Sequence, residues 1–351
     1  MRGFWARGMF AAALSLSLGL FAVAAPAPET HKALQIYFVD VEGGQATLFI
    51  TPEGKSLLID TGWPDNNGRD AERIAAAAKD AKISKIDFVL ITHFHDDHVG
   101  GAPQLAAKIP VGTFIDHGEN RETNDGVTKR DFDAYQQLLA IAKYKHITAK
   151  PGEVLPITGM QVRVVSSDGE LIERPLPGGG KENASCANAA KPPVDVTENP
   201  RSVGTLITFG KLRILDLGDL TADKEMELMC PMNKIGAVDI YVVSHHGTAS
   251  SGSPQLVHAI APRVAIMDNG AKKGGSVVAW DTIEKSPGLV DLWQLHYSEE
   301  GGDAHNVAAP FLANLQGPDA GNYLKVTASG DGSFAVFNSR TGETKKYTAK
   351  N

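Results

Sequence analysis

The positions of hydrophobic residues follow two patterns along the chain. Short apolar runs separated by turns rich in Gly and Pro predict strands, beginning with a meander at Leu34–Asp40, Gln45–Thr51 and Ser56–Asp60. Beyond residue 68, apolar residues at helical spacing alternate with buried apolar runs, which predicts helices between strands. The further predicted helices are Ala71–Ala81, Ala102–Lys108, Phe132–Tyr144, Ala222–Met229 and Ser253–Ile260, and the further predicted strands are Asp87–Ile91, Val111–Ile115, Gln161–Ser166, Ser202–Phe209, Leu212–Leu217, Val238–Val243 and Val264–Met267.

The order of strands, helix and strand occurs twice, on either side of residues 167–201. That stretch is polar, contains several Pro and Gly residues and has no periodicity, so it predicts a long loop. Loops of this length serve as lids or substrate-binding insertions, or are disordered. Since nothing resembling an interdomain linker is present, the sequence predicts one domain, residues 25–351, of two related halves with helices on the outer faces of mixed sheets.

The first 24 residues have the pattern of a secretory signal peptide. Arg2 and Arg7 lie before an apolar stretch that ends at Val23, and small residues before Ala25 provide a cleavage site. The sequence therefore predicts an exported protein, periplasmic or secreted, with an N-terminal membrane anchor as the alternative. No later segment is apolar and long enough for a second span.

Charge and cysteine content narrow the classes of function. The formal net charge is −7, and removing Arg2 and Arg7 with the signal peptide gives −7 − 2 = −9 for the mature chain. Because proteins that hold long polyanions display basic stripes, binding of long nucleic acids is disfavoured, although a small phosphoester is not. Cys186 and Cys230 lack metal-ligand spacing, and in an oxidising compartment they either pair or stay free.

Residues 93–98 carry the densest set of metal-ligand side chains. His93 and His95 are two residues apart, so in an extended segment they point the same way, as two ligands of one ion must. Asp97 and His98 follow at a predicted helix entry and turn toward a neighbouring point. Imidazole with carboxylate favours zinc, manganese or iron over calcium. The alternative, a solvated turn that is rich in histidine by chance, does not account for this spacing after a buried strand.

The run His93-Phe94-His95-Asp96-Asp97-His98 matches the H-x-H-x-D-H signature, and the sequence resembles the metallo-β-lactamase-fold superfamily. The resemblance implies an α/β fold, a four-layer αββα sandwich of two related halves. It also implies that Asp60 orients a histidine from the second shell and that Asp219 bridges or caps the metals. His93 and His95 would hold a first ion, and Asp97, His98 and His246 a second.

Within the superfamily, the sequence is most similar to the branch that contains the hydrolase domains of competence-type DNA-uptake proteins and the phosphorylcholine esterases. This similarity rests on residues 38–45 and on the His-His-Gly run at His245. Gln45 stands where that branch commonly has Asp. No histidine lies between His146 and His245, so the usual third imidazole of the first ion is missing. Asp219 with water, Asn199, Ser202 or His117 could complete that ion.

The histidines outside the run 93–98 also have predicted roles. Backbone alternation in an extended segment would let only one of His245 and His246 face an ion, and we favour His246 as the ligand and His245 as a donor to a substrate oxygen. His296, at the end of a run that resembles a strand, could contact substrate together with Asn199 and Ser202.

The resemblance and the ligand set predict an exported metallo-hydrolase with one or two divalent ions, zinc first and manganese second. A metal-bound hydroxide, oriented by Asp97, would attack a small-molecule substrate, and the missing imidazole favours a phosphoester or phosphodiester. Hydrolysis of a β-lactam or lactone is the alternative reaction. A non-catalytic protein that binds a metal or ligand at a degraded site is the alternative of another class.

Overall fold

A computed structural model of the protein describes Met1, Gly3, residues 33–64 and residues 66–350. The predicted signal peptide, residues 1–24, lies outside the described residues apart from Met1 and Gly3. The described α-helices are α1 Arg69–Asp80, α2 Asp96–Val99, α3 Ala102–Lys108, α4 Gly126–Ala142, α5 Ala222–Met229, α6 Pro254–Ile260 and α7 Val277–Glu284. Of these helices, none is long and apolar enough to cross a bilayer.

The strands described in the same residues form two large sheets and one short pair. In chain order they are β1 Leu34–Phe38, β2 Thr47–Ile50, β3 Ser56–Ile59, β4 Ile86–Leu90, β5 Val111–Asp116, β6 Lys145–Thr148, β7 Gln161–Ser167, β8 Glu170–Leu171, β9 Lys181–Glu182, β10 Gly204–Phe209, β11 Leu212–Asp216, β12 Met232–Asn233, β13 Ile240–Val242, β14 Val264–Met267, β15 Asp291–His296, β16 Leu312–Asn314, β17 Leu324–Ala328, β18 Ser333–Asn338 and β19 Thr344–Thr348.

The first sheet has the order β19-β18-β17-β1-β2-β3-β4-β5-β6, and the second has the order β16-β15-β14-β13-β11-β10-β7-β8. The strands β3, β4, β5 and β6 run parallel, as do β11, β13, β14, β15 and β16. The other pairings in each sheet are antiparallel. Both sheets are therefore mixed, and the C-terminal strands β17, β18 and β19 join the first sheet beside β1.

Three hydrophobic clusters define four layers. Because side chains alternate along a strand, Ile36 and Phe38 of β1 face the second sheet, whereas Tyr37 faces outward. The inner faces of the two sheets meet in one cluster, and α1, α3 and α4 cover the outer face of the first sheet. The helices α5, α6 and α7 cover the outer face of the second. This is an αββα sandwich, and the predicted fold class is confirmed.

Several predicted elements differ from the structure in extent. Helix α4 begins at Gly126 rather than at Phe132, because the Asp125 side chain accepts a hydrogen bond from Thr128 N at 2.7 Å and caps the helix there. Residues 167–201 include the short strands β8 and β9 rather than loop alone. Strand β6, helix α7 and the C-terminal strands β16–β19 carry no prediction, since their short or amphipathic runs give weak periodicity.

The parallel strands place the polar segments that matter for function. Asp60 and Thr92 follow β3 and β4 in the first sheet, and Asp219 and Ser244 follow β11 and β13 in the second. Carboxyl ends of parallel strands lie at the same edge of a sheet, which is where sites form in sheets of this kind. Here the two edges face each other, so one site draws side chains from both halves.

Candidate metal centre

The histidine-rich segment changes conformation within its own length. His95 is extended (φ −69°, ψ 153°), and helix α2 begins at Asp96. His93 and His95 therefore precede the helix, whereas Asp97 and His98 lie in its first turn. Thr61 N and its Oγ1 both donate to His98 O at 2.8 Å, and Gln45 N donates to Asp97 O at 3.2 Å, so the turn is held against the strands of the first sheet.

Four buried side chains converge on one point. The ligand atoms of Asp97, His98, Asp219 and His246 all lie within 4.8 Å of one another. His98 Nε2 is 3.2 Å from His246 Nε2 and 3.1 Å from Asp97 Oδ2, and Asp219 Oδ2 is 3.3 Å from His98 Nε2. Four ligands at about 2.0–2.1 Å from a tetrahedral zinc ion are separated by about 3.4 Å. The observed separations fit such an ion.

A second, adjacent group contains the remaining two histidines of the run. His93 Nε2 lies 3.0 Å from His95 Nδ1 and 3.9 Å from Asp219 Oδ2. Asp219 thus lies between both groups, which is the place of a bridging carboxylate. Its Oδ1 is buried and accepts no hydrogen bond of regular geometry in the described part of the chain, although His246 Nε2 lies 3.4 Å away. A buried carboxylate oxygen costs free energy unless it is paired or binds a metal, so this atom also fits a metal site.

Glycine at position 218 lets Asp219 approach the histidine run. Gly218 has φ +54°, and a Cβ there would lie 2.8 Å from Thr92 Cβ. Gly218 O also accepts from His245 N at 3.0 Å. The loop after β11 is therefore packed between the ligand segments of both halves, and a larger residue at this position would push them apart.

The adjacent histidines do not follow strand alternation. His245 (φ 54°, ψ 42°) and His246 (φ 54°, ψ 16°) are both left-handed, a conformation that is costly for residues with a Cβ and concentrates at functional sites. Both rings consequently reach Asp219: His245 Nε2 lies 3.2 Å from Oδ2 and His246 Nε2 lies 3.4 Å from Oδ1. The argument that only one of them could face the centre is wrong, because the segment is a turn and not a strand.

Second-shell contacts orient the ligands. Asp60 Oδ2 lies 2.7 Å from His98 Nδ1, and Thr92 donates to both oxygens of the same carboxylate at 2.7 Å. A carboxylate accepts hydrogen bonds, so the Nδ1 proton points at Asp60 and Nε2 faces the centre. Ser202 Oγ lies 3.5 Å from His93 Nδ1 and accepts from Asp219 N at 3.2 Å. Ser202 is thus placed behind His93, on the side away from His95.

Two glutamates for which the sequence predicts no role contact the histidine-rich segment. Glu122 Oε2 lies 2.9 Å from His95 Nε2, and it accepts from Glu198 N at 2.9 Å. Glu198 is buried and its Oε2 lies 2.9 Å from His117 Nε2. His117 therefore pairs with Glu198 instead of joining the ligand group. Neither glutamate follows a strand or a motif, so sequence spacing offers no signal for them.

The remaining predicted residues lie apart from the ligand group. Asn199 is almost buried, and its Oδ1 has no hydrogen-bond partner among the described residues. His296 Nε2 lies 2.6 Å from Asp40 Oδ1, and the same Asp40 pairs with Arg73. The structure therefore places His296, at the end of β15, in a buried ion pair with Asp40, which follows β1. Its contact with a substrate stays a prediction.

Lys273 lies beside the ligand group, although the sequence predicts no role for it in the site. Its ammonium contacts Asp97 Oδ2 and lies 4.9 Å from the centre of the Trp63 ring. Its sequence context, Lys272-Lys273 in a polar stretch, suggested only a scattered basic pair. The side chain is 32 % exposed, so the charge is both paired and accessible.

The electrostatics of the centre follow from burial and close charges. Burial opposes ionisation of Asp97, but Lys273 and His98 hold its pKa well below the usual value. Burial likewise opposes protonation of His98, yet Asp219, Asp97 and Asp60 raise its pKa well above the usual value. Burial and two neighbouring imidazoles lower the pKa of His93. Asp97 is thus held in its ionised form by nearby positive charge, and a divalent ion among the ligand atoms would stabilise it in the same way.

Comparison with known proteins agrees with this geometry. The sequence model of the metallo-beta-lactamase superfamily matches residues 40–181, which include the whole histidine run. Over these residues the chain is similar to the metallo-β-lactamase superfamily, and the predicted resemblance is confirmed there.

The individual relatives have low sequence identity to this chain. Recombination protein 2 of Haemophilus influenzae is 24% identical over 67% of this chain and 24% of its own length. A UPF0173 metal-dependent hydrolase of Polynucleobacter asymbioticus is 30% identical over 46% of this chain and 51% of its own. The chain thus spans about a quarter to a half of the length of these relatives. Among solved structures, a mutant metallo-β-lactamase of Cronobacter sakazakii has 15% identity and a TM-score of 0.37, covering 59% of this chain and 75% of that one.

Proposed function

We propose that this protein is an exported hydrolase of small phosphoesters or phosphodiesters that works with one or two divalent metal ions. The observation that carries the proposal is the convergence of Asp97, His98, Asp219 and His246 within 4.8 Å, beside a lysine ammonium. Imidazole and carboxylate ligands at this spacing favour zinc, with manganese as the alternative.

The residues divide into those that would hold metal and those that would act on substrate. Asp97, His98 and His246 would hold one ion, His93 and His95 would hold the other, and Asp219 would contact both. A divalent ion bound there would lower the pKa of a water molecule toward neutrality and polarise the scissile bond. Asp97 would also orient the attacking water.

The charge of Lys273 supports a phosphoryl substrate. Its ammonium contacts Asp97 and remains partly exposed, so it can also bind an anionic oxygen at the mouth of the centre. A phosphodiester carries negative charge on the reacting group itself, and a fixed cation stabilises the charge that develops there. The acidic mature chain repels a long polyanion, which restricts the proposal to small substrates.

His245 is a candidate for contact with a substrate oxygen beside the ligand group. Its Nδ1 lies 3.1 Å from Ser250 Oγ and 3.3 Å from Ser251 Oγ, which hold the ring, while Nε2 lies beside Asp219. The ring is slightly exposed, unlike that of His246. We assign His245 a hydrogen bond to a substrate oxygen, a role that needs contact with substrate rather than with metal.

Export has separate support. Residues 1–24 carry the pattern of a signal peptide, and Cys186 and Cys230 form a disulfide with a sequence separation of 44 residues. Disulfides persist in oxidising compartments and are rare in the cytosol. Both observations favour a periplasmic or secreted protein.

The decisive experiment compares Asp97→Asn with Asp96→Asn. Both proteins, loaded with Zn²⁺ or Mn²⁺, are assayed with chromogenic phosphodiester, phosphomonoester, lactone and cephalosporin substrates, and bound metal is quantified. Asp97→Asn should lose about 100-fold or more of the phosphodiester turnover together with tightly bound metal. Asp96→Asn, on the same helix but outside the ligand group, should retain both.

Hydrolysis of the cephalosporin or lactone alone would replace the phosphoester proposal with the alternative reaction. Less than one equivalent of tightly bound metal in the wild-type protein, without turnover of any substrate, would favour a non-catalytic binding protein.

A further inference from the structure

A cavity of about 450 Å³ lies between the long loop and the beginning of α5. Its loop wall consists of Pro192, Pro193, Val194 and Val196. Val194 and Val196 are 68 % and 80 % exposed, which is unusual for two apolar side chains so close together. The adjacent prolines fix the local backbone, so the wall is stiff although it belongs to a loop.

The cavity adjoins the segment that carries His245. Ser250 lines it and contacts the His245 ring, with Oγ 3.1 Å from Nδ1. Thr221 also lines it and lies two residues after Asp219 in the chain. A molecule that reacts at the centre can therefore extend past His245 into the cavity. The volume is in the range of small-molecule sites, which are about 300–1,000 Å³.

The charged groups of the cavity are acidic. Asp195 and Asp223 line it, and Asp223 Oδ1 accepts from Thr221 Oγ1 at 2.5 Å. Asp195 Oδ1 accepts from Thr197 N at 2.8 Å and from Thr197 Oγ1 at 2.7 Å, which holds it in place. No lysine or arginine is among the residues that the structure places around the cavity. An anionic group is therefore repelled, whereas a neutral or cationic apolar group is accepted.

We infer that this cavity is a subsite for the organic substituent of the phosphoester, and that it selects apolar groups that are neutral or positively charged. The inference rests on the proposed function, since it names the substrate class of the same centre. The long loop thereby becomes a specificity element, and the metal ligands stay responsible for the reaction.

Alkylphosphonates test the subsite through binding, without any turnover. Each has one phosphoryl group for the centre and one arm for the cavity. Affinities of the Zn²⁺-loaded full chain for methyl-, hexyl-, 6-aminohexyl- and 5-carboxypentylphosphonate are measured by calorimetry. Hexylphosphonate should bind at least about tenfold more tightly than methylphosphonate, because several methylene groups leave water. 5-Carboxypentylphosphonate should not show this gain in affinity, and 6-aminohexylphosphonate should keep it.

The variant pair Val194→Ser/Val196→Ser should lose the gain from the hexyl arm while methylphosphonate binds as in the wild type. The matched control is Val154→Ser/Val278→Ser, which changes two exposed valines outside the cavity and should keep the gain. Equal affinities for the methyl and hexyl compounds would overturn the subsite even if phosphodiesters are hydrolysed. Dependence on arm length without phosphodiester turnover would support the subsite and refute the proposed reaction. Failure of every phosphonate to bind would overturn both.

Discussion

Replacing Asp60 with Asn isolates the effect of orienting one metal ligand. Asp60 is fully buried, and its carboxylate lies 2.7 Å from His98 Nδ1 and accepts twice from Thr92. Its backbone is left-handed, with φ +61°. Because Asn tolerates this conformation better than other residues with a Cβ, the substitution leaves the backbone in place and changes only the hydrogen bonds.

The magnitude follows from those contacts. The Asn oxygen can still accept from Thr92 N, but the amide nitrogen then faces His98 Nδ1 and Thr92 Oγ1. The imidazole loses its charged acceptor and is no longer held in the tautomer that presents Nε2 to the centre. Loss of such a contact weakens metal binding about 10–100-fold, which is about 1.4–2.8 kcal/mol. The donors left facing each other cost a further ~1–3 kcal/mol of folding stability.

Zinc affinity is measured by competition with a chromophoric chelator, and stability by urea unfolding of the same metal-free sample. The control is Asp70→Asn, which also changes a buried carboxylate, one that accepts from Trp63 N at 2.9 Å and Arg69 Nε at 2.6 Å. It should lose stability and keep zinc affinity. Unchanged zinc affinity in folded Asp60→Asn, or an equal loss in Asp70→Asn, would refute the role assigned to Asp60.

Three further predictions concern stability. Replacing both Cys186 and Cys230 with Ser should lower the unfolding free energy by about 4 kcal/mol in urea titrations, since the bridge closes a loop of 44 residues; no change would contradict this. Gln45→Glu should lower the unfolding free energy by about 1–3 kcal/mol, because Gln45 Nε2 donates at 2.7 Å to the buried Asp216. The loss should be larger at high pH, since burial raises the pKa of Asp216 to about 7 and both carboxylates are charged above it. An equal loss at low and at high pH would argue against this reasoning. His146→Gln should cost less than about 1 kcal/mol below pH 6.5 and nothing near pH 9 in thermal unfolding. The hydrogen bond to Asp116 raises the pKa of His146, so its stabilisation is complete at low pH and is lost as pH rises through that pKa.

The recognisable part of the site is local in the sequence. His93, His95, Asp97 and His98 lie in six residues, and one strand end and one helix turn suffice to aim them. The fold class was likewise predictable. Apolar runs and helical periodicity in both halves of the chain indicated mixed sheets with helices on their outer faces, and the resemblance to the superfamily implied the αββα arrangement. Contacts within a few residues depend on backbone geometry alone, which the residue pattern encodes.

Long-range contacts decided the rest. The side chains of Glu122, Glu198 and Lys273 reach the histidine segment from loops far along the chain, and no spacing relates them to it. His296 lies 256 residues from Asp40, and only the packing of the two sheets against each other brings the two side chains together.

The sequence by itself determined a metal-ligand run at the edge of an αββα sandwich, since strand ends and turns are written in local patterns. The tertiary structure alone decided which side chains complete the centre, and that His245 and His246 both reach Asp219 from a left-handed turn. It also decided that the long loop ends in an apolar wall beside the centre. Those outcomes depend on how two sheets pack face to face, and packing is set by the whole core rather than by any segment.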